Sequence, residues 1–122
     1  MESRKLGGRG QTTVDLTEGD MFVRIRTSPM EGEFPSSTWL IGADESSDEL
    51  TCLYWDSRGV RRVYRTTMVE GVWTIWRNAP GFNQRYVGNL AADGSSIVGR
   101  WEFSEDGSTW KVDFDLSYHR KS

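Results

Sequence analysis

Arg62, Tyr64, Arg77 and Arg85 stand inside stretches that are otherwise apolar and alternating: VRRVYRTTMV (60–69), VWTIWR (72–77) and QRYVGNL (84–90). A guanidinium offers several N–H donors in a rigid fork that matches a carboxylate or enolate oxygen, and a phenol adds one adjustable donor. Pointing into an apolar interior, one or two of these groups would bind and orient the oxygen end of a ligand. Pointing outwards, they would pair across strands with acidic residues or lay their stems over rings. Both arrangements put an arginine near an aromatic ring, but only the inward one requires a cavity beside it. Trp39, Tyr54, Trp76, Tyr86, Trp101 and Trp110 are the rings that would line such a cavity, or pack on one another and fill it. Together these ten residues form the candidate ligand-binding set.

Other chemistry is poorly supplied. Cys52 lies in an apolar run with no nearby His or Lys to make a thiolate, which describes a packed, inert thiol. His119 is the only histidine, so no zinc or haem site of ordinary ligation can be assembled, and no cofactor is expected. Asp113 and Asp115 share what should be the wet face of a strand. Asp56, Asp93 and Asp106 sit at Gly-containing turns, where local backbone bonding accounts for them. GGRG (7–10) precedes no helix and lacks the Lys-Ser/Thr end of a phosphate loop. The chain reads more readily as a binding module than as an enzyme.

The elements that would position these residues are strands. LTCLYW (50–55), the three runs above, SIVGRWEF (96–103) and WKVDFDLSY (110–118) alternate apolar and polar residues, separated by DSRG, EG, NAPGF, AADGS and SEDGS. Those are turn compositions, with Gly for positive φ and Asp, Asn and Ser for local bonds. Upstream, QTTVDL (11–16), MFVRIRT (21–27) and TWLIGA (38–43) continue the pattern. SPMEGEFPSS (28–37) reads as a long loop over a barrel mouth, and DESSDE (44–49) as an acidic turn. Period 2 puts Trp110, Val112, Phe114, Leu116 and Tyr118 inside the last strand and Lys111, Asp113 and Asp115 outside. No run shows sustained helical periodicity. The expected fold is all-β, a single antiparallel up-and-down barrel of about eight to nine strands over residues 11–120, behind a flexible leader of residues 1–10.

At 122 residues the chain suits one domain with its own core. Its net charge is −3, with 15 basic residues scattered among 18 acidic ones, so neither nucleic acid nor an anionic membrane is an expected partner. A lone cysteine and an N-terminus without an apolar segment point to a cytoplasmic protein.

The segments DSRGVRRVY (56–64), GVWTIWRNAPGFNQRYVG (71–88), DGSSIVGRWEFSEDGSTW (93–110) and DFDLSY (113–118) resemble the DUF1579-related group of small bacterial proteins of unknown function. That group is similar to the calycins, the superfamily of lipocalins and fatty-acid-binding proteins. The motif positions are Asp56, Arg58, Tyr64, Trp73, Trp76, Arg77, Phe82, Arg85, Trp101 and Trp110. The resemblance implies a closed barrel with an interior cavity and carries over no catalytic residue. It has one departure: the G-x-W strand usual upstream of QTTVDL is missing. The barrel then closes with one strand fewer, or residues 3–10 stand in, or a second chain covers the edge as a homodimer.

Three functions follow as expectations. The first is binding of a small, largely apolar or aromatic ligand with an anionic or carbonyl end. The second is a cofactor-free isomerase, cyclase or hydratase, which needs an acid or base inside. The third is a structural or interaction barrel with a packed interior.

Overall fold

The computed structural model of the chain describes residues 2–5, 8–32, 34–43, 45 and 49–120, without the side chains of residues 2–5 and 18. Ten strands follow one another: β1 (Glu2–Lys5), β2 (Gly8–Leu16), β3 (Val23–Glu31), β4 (Ser37–Ala43), β5 (Leu50–Asp56), β6 (Arg61–Val69), β7 (Val72–Arg77), β8 (Asn83–Leu90), β9 (Ser96–Ser104) and β10 (Lys111–His119). Each pairs antiparallel with its sequence neighbour, and β1 also pairs with β10, so the sheet closes into an all-β up-and-down barrel.

Two expectations about boundaries are corrected. The leader of residues 1–10 contains a strand: Glu2–Lys5 lies between β10 and β2, with Glu2 opposite both His119 and Gln11. Residues 2–5 thus close the barrel between β10 and β2, which leaves β2 no open edge on which to recruit a second copy. The loop 28–37 shortens to 32–36, because β3 runs on to Glu31. Pro29 is tolerated there because it sits opposite Gly10, next to a register shift at Arg9/Gly10, where a missing ladder donor matters least. The acidic turn 44–49 lies mostly outside the described residues.

Strand parity fixes what faces inwards. Trp39 on β4, Cys52 and Tyr54 on β5, Tyr64 and Thr66 on β6, Ile75 on β7, Tyr86 on β8 and Trp101 on β9 share the inner face. Halfway along the barrel, Tyr64, Ile75, Tyr86, Trp101 and Tyr118 form a buried layer. Its rings meet tilted or edge-on, Tyr64 with Trp101 at 5.7 Å and Tyr86 with Trp101 at 5.5 Å between centroids. Such pairs add about 0.5–1.5 kcal/mol each beyond their buried area.

Tyr86 fits only because two facing positions have no side chain. Gly88 and Gly99 are partners in the β8–β9 ladder, and a Cβ on Gly99 would stand 2.5 Å from the Tyr86 ring and hydroxyl. Lying over this slot, the ring carries its hydroxyl to the Leu116 carbonyl of β10, 3.0 Å away. One side chain thereby ties three strands together. The slot leads to a test: Gly99→Ala should displace Tyr86 and lower the urea midpoint by the equivalent of about 2–3 kcal/mol, in the range for overpacking a core. Gly59→Ala, in a turn with open space but φ +87°, should cost only about 1 kcal/mol.

Candidate functional site

The buried layer leaves a cavity of about 410 Å³ in the end of the barrel where the β3–β4, β5–β6, β7–β8 and β9–β10 connections lie, here the upper end. Rings of Trp39, Tyr54, Tyr64 and Trp101 form its floor and walls, with Phe34 and Phe82 from the connections above. Trp39 packs on Tyr54 at 4.6 Å and on Tyr64 at 5.0 Å, so three strands set the position of one indole.

Two polar groups of different kinds enter this apolar wall. The first is built on Asp56, whose side chain is fully buried at the start of the DSRG turn. Its carboxylate accepts from the Tyr54 hydroxyl at 2.6 Å, the Arg58 backbone N–H at 2.9 Å and Arg58 Nη2 at 2.7 Å. Gly59, at positive φ, lets the chain turn tightly enough for Arg58 to fold back. Burial raises the Asp56 pKa, but the bonds from Arg58 and Tyr54 outweigh it and hold the carboxyl well below the usual range. Burial, reinforced by the Asp56 bond, pushes the Tyr54 phenol upwards, so both groups stay in one protonation state and Arg58 is neutralised.

The second is centred on Gln84, on the inner face of β8. Its Oε1 accepts from the Tyr64 hydroxyl at 2.7 Å and, more weakly, from Arg62 Nη1 at 3.4 Å. Both lone pairs of that oxygen are thus used. Arg62 lies over Phe82, 5.4 Å from the ring centre, and has no carboxylate partner among the described residues. Arg62 also lines the chamber. Burial raises the Tyr64 pKa, and the Arg62 and Arg77 charges only partly offset it, so the phenol stays protonated as a donor.

Of the ten candidates, Trp39, Tyr54, Arg62, Tyr64, Tyr86 and Trp101 line this chamber. Arg77 is on the inner face of β7, opposite Gln84, near enough to act on the Tyr64 phenol but outside the lining. Trp76, Arg85 and Trp110 are on the outside. Arg85 binds Glu102 with Nε at 2.9 Å and covers the Trp110 ring at 3.9 Å, while Trp76 stands between Arg65 and Arg85 in the outer ladder. That is the cross-strand pairing open to any outward arginine in a sheet.

A β-bulge changes the reading of the last strand. Val112 pairs with Glu102 and Phe114 with Trp101, so Asp113 is an extra residue. Val112 is thereby turned out and half-exposed, and Asp113 comes to the rim of the chamber, whereas Asp115 remains outside, bound to Arg100 at 2.8 Å. Gln84 and Arg58 were not among the candidates. Gln84 was accessible to parity, since it shares a face with Tyr86; Arg58 was not, since only the folded turn shows that it reaches back.

Among the described residues no group of three or more His, Cys, Asp or Glu side chains is placed to hold a metal, and no helix is long and apolar enough to cross a membrane. No protein-family model matches the chain, and no curated protein matches it.

The Asp56 centre has a measurable signature. Its folded pKa lies below the unfolded value of about 4, so its contribution is present at neutral pH and is lost as the pH falls below about 4. Asp56→Ala should cost about 2–4 kcal/mol at pH 7, since it strands the Tyr54 hydroxyl and the Arg58 donors. The gap between wild type and variant in urea midpoints should narrow as the pH is lowered towards 2.

Proposed function

We propose that the upper chamber binds a small, largely apolar or aromatic molecule through a carboxylate or carbonyl oxygen. The observation that supports this reading is Arg62: a half-buried guanidinium on an inner wall of aromatic rings, with no carboxylate partner among the described residues. A half-buried cation without a carboxylate beside it loses part of its hydration, and an anionic ligand end would offset that loss. Gln84 holds Arg62 and Tyr64 side by side, so a ligand oxygen would meet the Arg62 fork while the rings take its body. A volume of about 410 Å³ falls in the range of small-molecule sites. The barrel is compatible with a calycin-like fold, and membership of the DUF1579-related group, as the motif segments suggest, is in keeping with an interior ligand.

A second reading, a cofactor-free isomerase, cyclase or hydratase, draws on Asp113. The bulge brings this carboxylate to the rim of the same chamber, where it would move a proton on a ligand whose oxygen is held by Arg62. Its exposure favours the first reading, because a base in water lacks the dry setting that tunes a catalytic carboxylate.

The test is a titration of fatty acids and aromatic acids followed by tryptophan fluorescence, since Trp39 and Trp101 both line the chamber. Acids should bind more tightly than their methyl esters, and Arg62→Ala should weaken acid binding about 10-fold or more, as for loss of a charged hydrogen bond. No response to any acid would remove the proposal. Turnover that disappears in Asp113→Asn would favour the enzyme.

A further inference from the structure

The opposite end of the barrel holds a second cavity of about 310 Å³, below the aromatic layer. Inner-face residues of eight strands meet there, among them Val14, Ile25, Ile41, Met68, Trp73 and Ile97, and no charged side chain lines it. Most of its polar side chains have protein partners. Thr12 and Thr27 share a hydroxyl–hydroxyl bond of 2.8 Å. The Thr66 hydroxyl donates to the Thr74 carbonyl and accepts from the Trp73 indole N–H, both at 2.8 Å. Thr67, half-buried between Thr66 and Met68, and Tyr118 remain. Tyr118 is 7% exposed, it lines both chambers, and its hydroxyl has no hydrogen-bond partner among the described residues. The neighbouring Tyr86 hydroxyl is already committed to Leu116.

A hydroxyl that opens on a cavity without a protein partner takes its hydrogen bond from whatever enters the cavity, whereas the apolar wall around it asks for nothing but hydrocarbon. The cavity also has a way in: Val14 and Met68, which line it from inner faces, are each 51% exposed. We propose that this lower chamber is a second ligand site, taking an uncharged, largely hydrocarbon molecule with a single hydroxyl or carbonyl oxygen received by Tyr118. An ionised ligand is disfavoured here, because no charged side chain lines the chamber to compensate its desolvation. The two chambers thus select opposite chemistries, an acid above and a neutral oxygenated hydrocarbon below. The lower site stands independently of the upper one.

The experiment uses 1-octanol and octanoate as probes, read by methyl and side-chain resonances of the full chain. The expected result is that 1-octanol shifts Ile25, Ile41, Ile97 and the Trp73 indole saturably, leaving the Gln84 amide and Trp39 indole in place, whereas octanoate does not move the lower set. Tyr118→Phe should weaken 1-octanol about 5-fold, the scale of one neutral hydrogen bond. Met68→Trp, at the half-exposed rim, should abolish the lower response while sparing the upper chamber, and it serves equally if Tyr118→Phe does not fold. The proposal is overturned by absence of a saturable shift in the lower set, by 1-octanol shifts confined to Gln84 and Trp39, by unchanged affinity in a folded Tyr118→Phe, or by a lower response that survives Met68→Trp. A silent upper chamber with a responsive lower one would count only against the acid-binding reading.

Discussion

Tyr86 needs a slot, and the barrel is built around providing it. Two paired glycines withhold the Cβ atoms that would stand 2.5–2.8 Å from its ring or hydroxyl, and the space lets a large polar-tipped ring lie against the sheet instead of standing in the lumen. Glycine in a strand weakens it, and a ring packed over the gap restores the lost contact. Because the hydroxyl then bonds to β10, the same residue binds the middle of β8 to the far side of the β9 ladder. Trp73 and Trp101 pack on its two sides, at 5.7 and 5.5 Å, and from there the layer extends to Tyr64 and Tyr118. A barrel with ordinary side chains at 88 and 99 would have neither this layer nor the division of its interior.

The division explains how so many aromatic residues can coexist with empty space. Concentrated halfway along, the rings leave both ends unfilled, and each end takes the polarity of the turns and strand ends around it. At the upper end the β5–β6 turn supplies Asp56 and Arg58, already satisfied by each other and by Tyr54. That pairing leaves Arg62 as a lining cation without a carboxylate partner among the described residues. At the lower end the Thr12 and Thr66 hydroxyls and the Trp73 indole have protein partners, so the wall there is largely hydrocarbon apart from Thr67 and Tyr118. Cys52 illustrates the environment: burial pushes its thiol up to about 12, against a smaller opposing effect of Thr66, and keeps it an inert member of the layer.

Alternation and turn chemistry made the meander legible in the sequence, and strands β5 to β10 lie within a residue or two of where the pattern puts them. Parity also sorts the site residues. Trp76 and Arg77 are consecutive, as are Arg85 and Tyr86, so only one of each pair can face a lumen; Tyr86, with Gln84 in step, is the inward choice. What parity cannot carry is a change of register. The bulge at Asp113 inverts Val112 and Lys111, and nothing in KVDF marks an extra residue. The closing strand was hidden for another reason: ESRK has no apolar alternation, and its place comes from two free sheet edges whose backbone groups need partners, a requirement of the whole barrel rather than of the segment.

The central claim is that the interior is two chambers of unlike polarity separated by one aromatic layer. A crystal structure under xenon pressure tests it most directly, since a dry hydrocarbon cavity takes up xenon and a polar one holds ordered water. Xenon should bind among Ile25, Ile41 and Ile97 and ordered waters on Arg62 and Gln84, with Tyr64, Tyr86, Tyr118 and Trp101 unbroken between them. A continuous column of water through the barrel, or side chains filling either end, would contradict it.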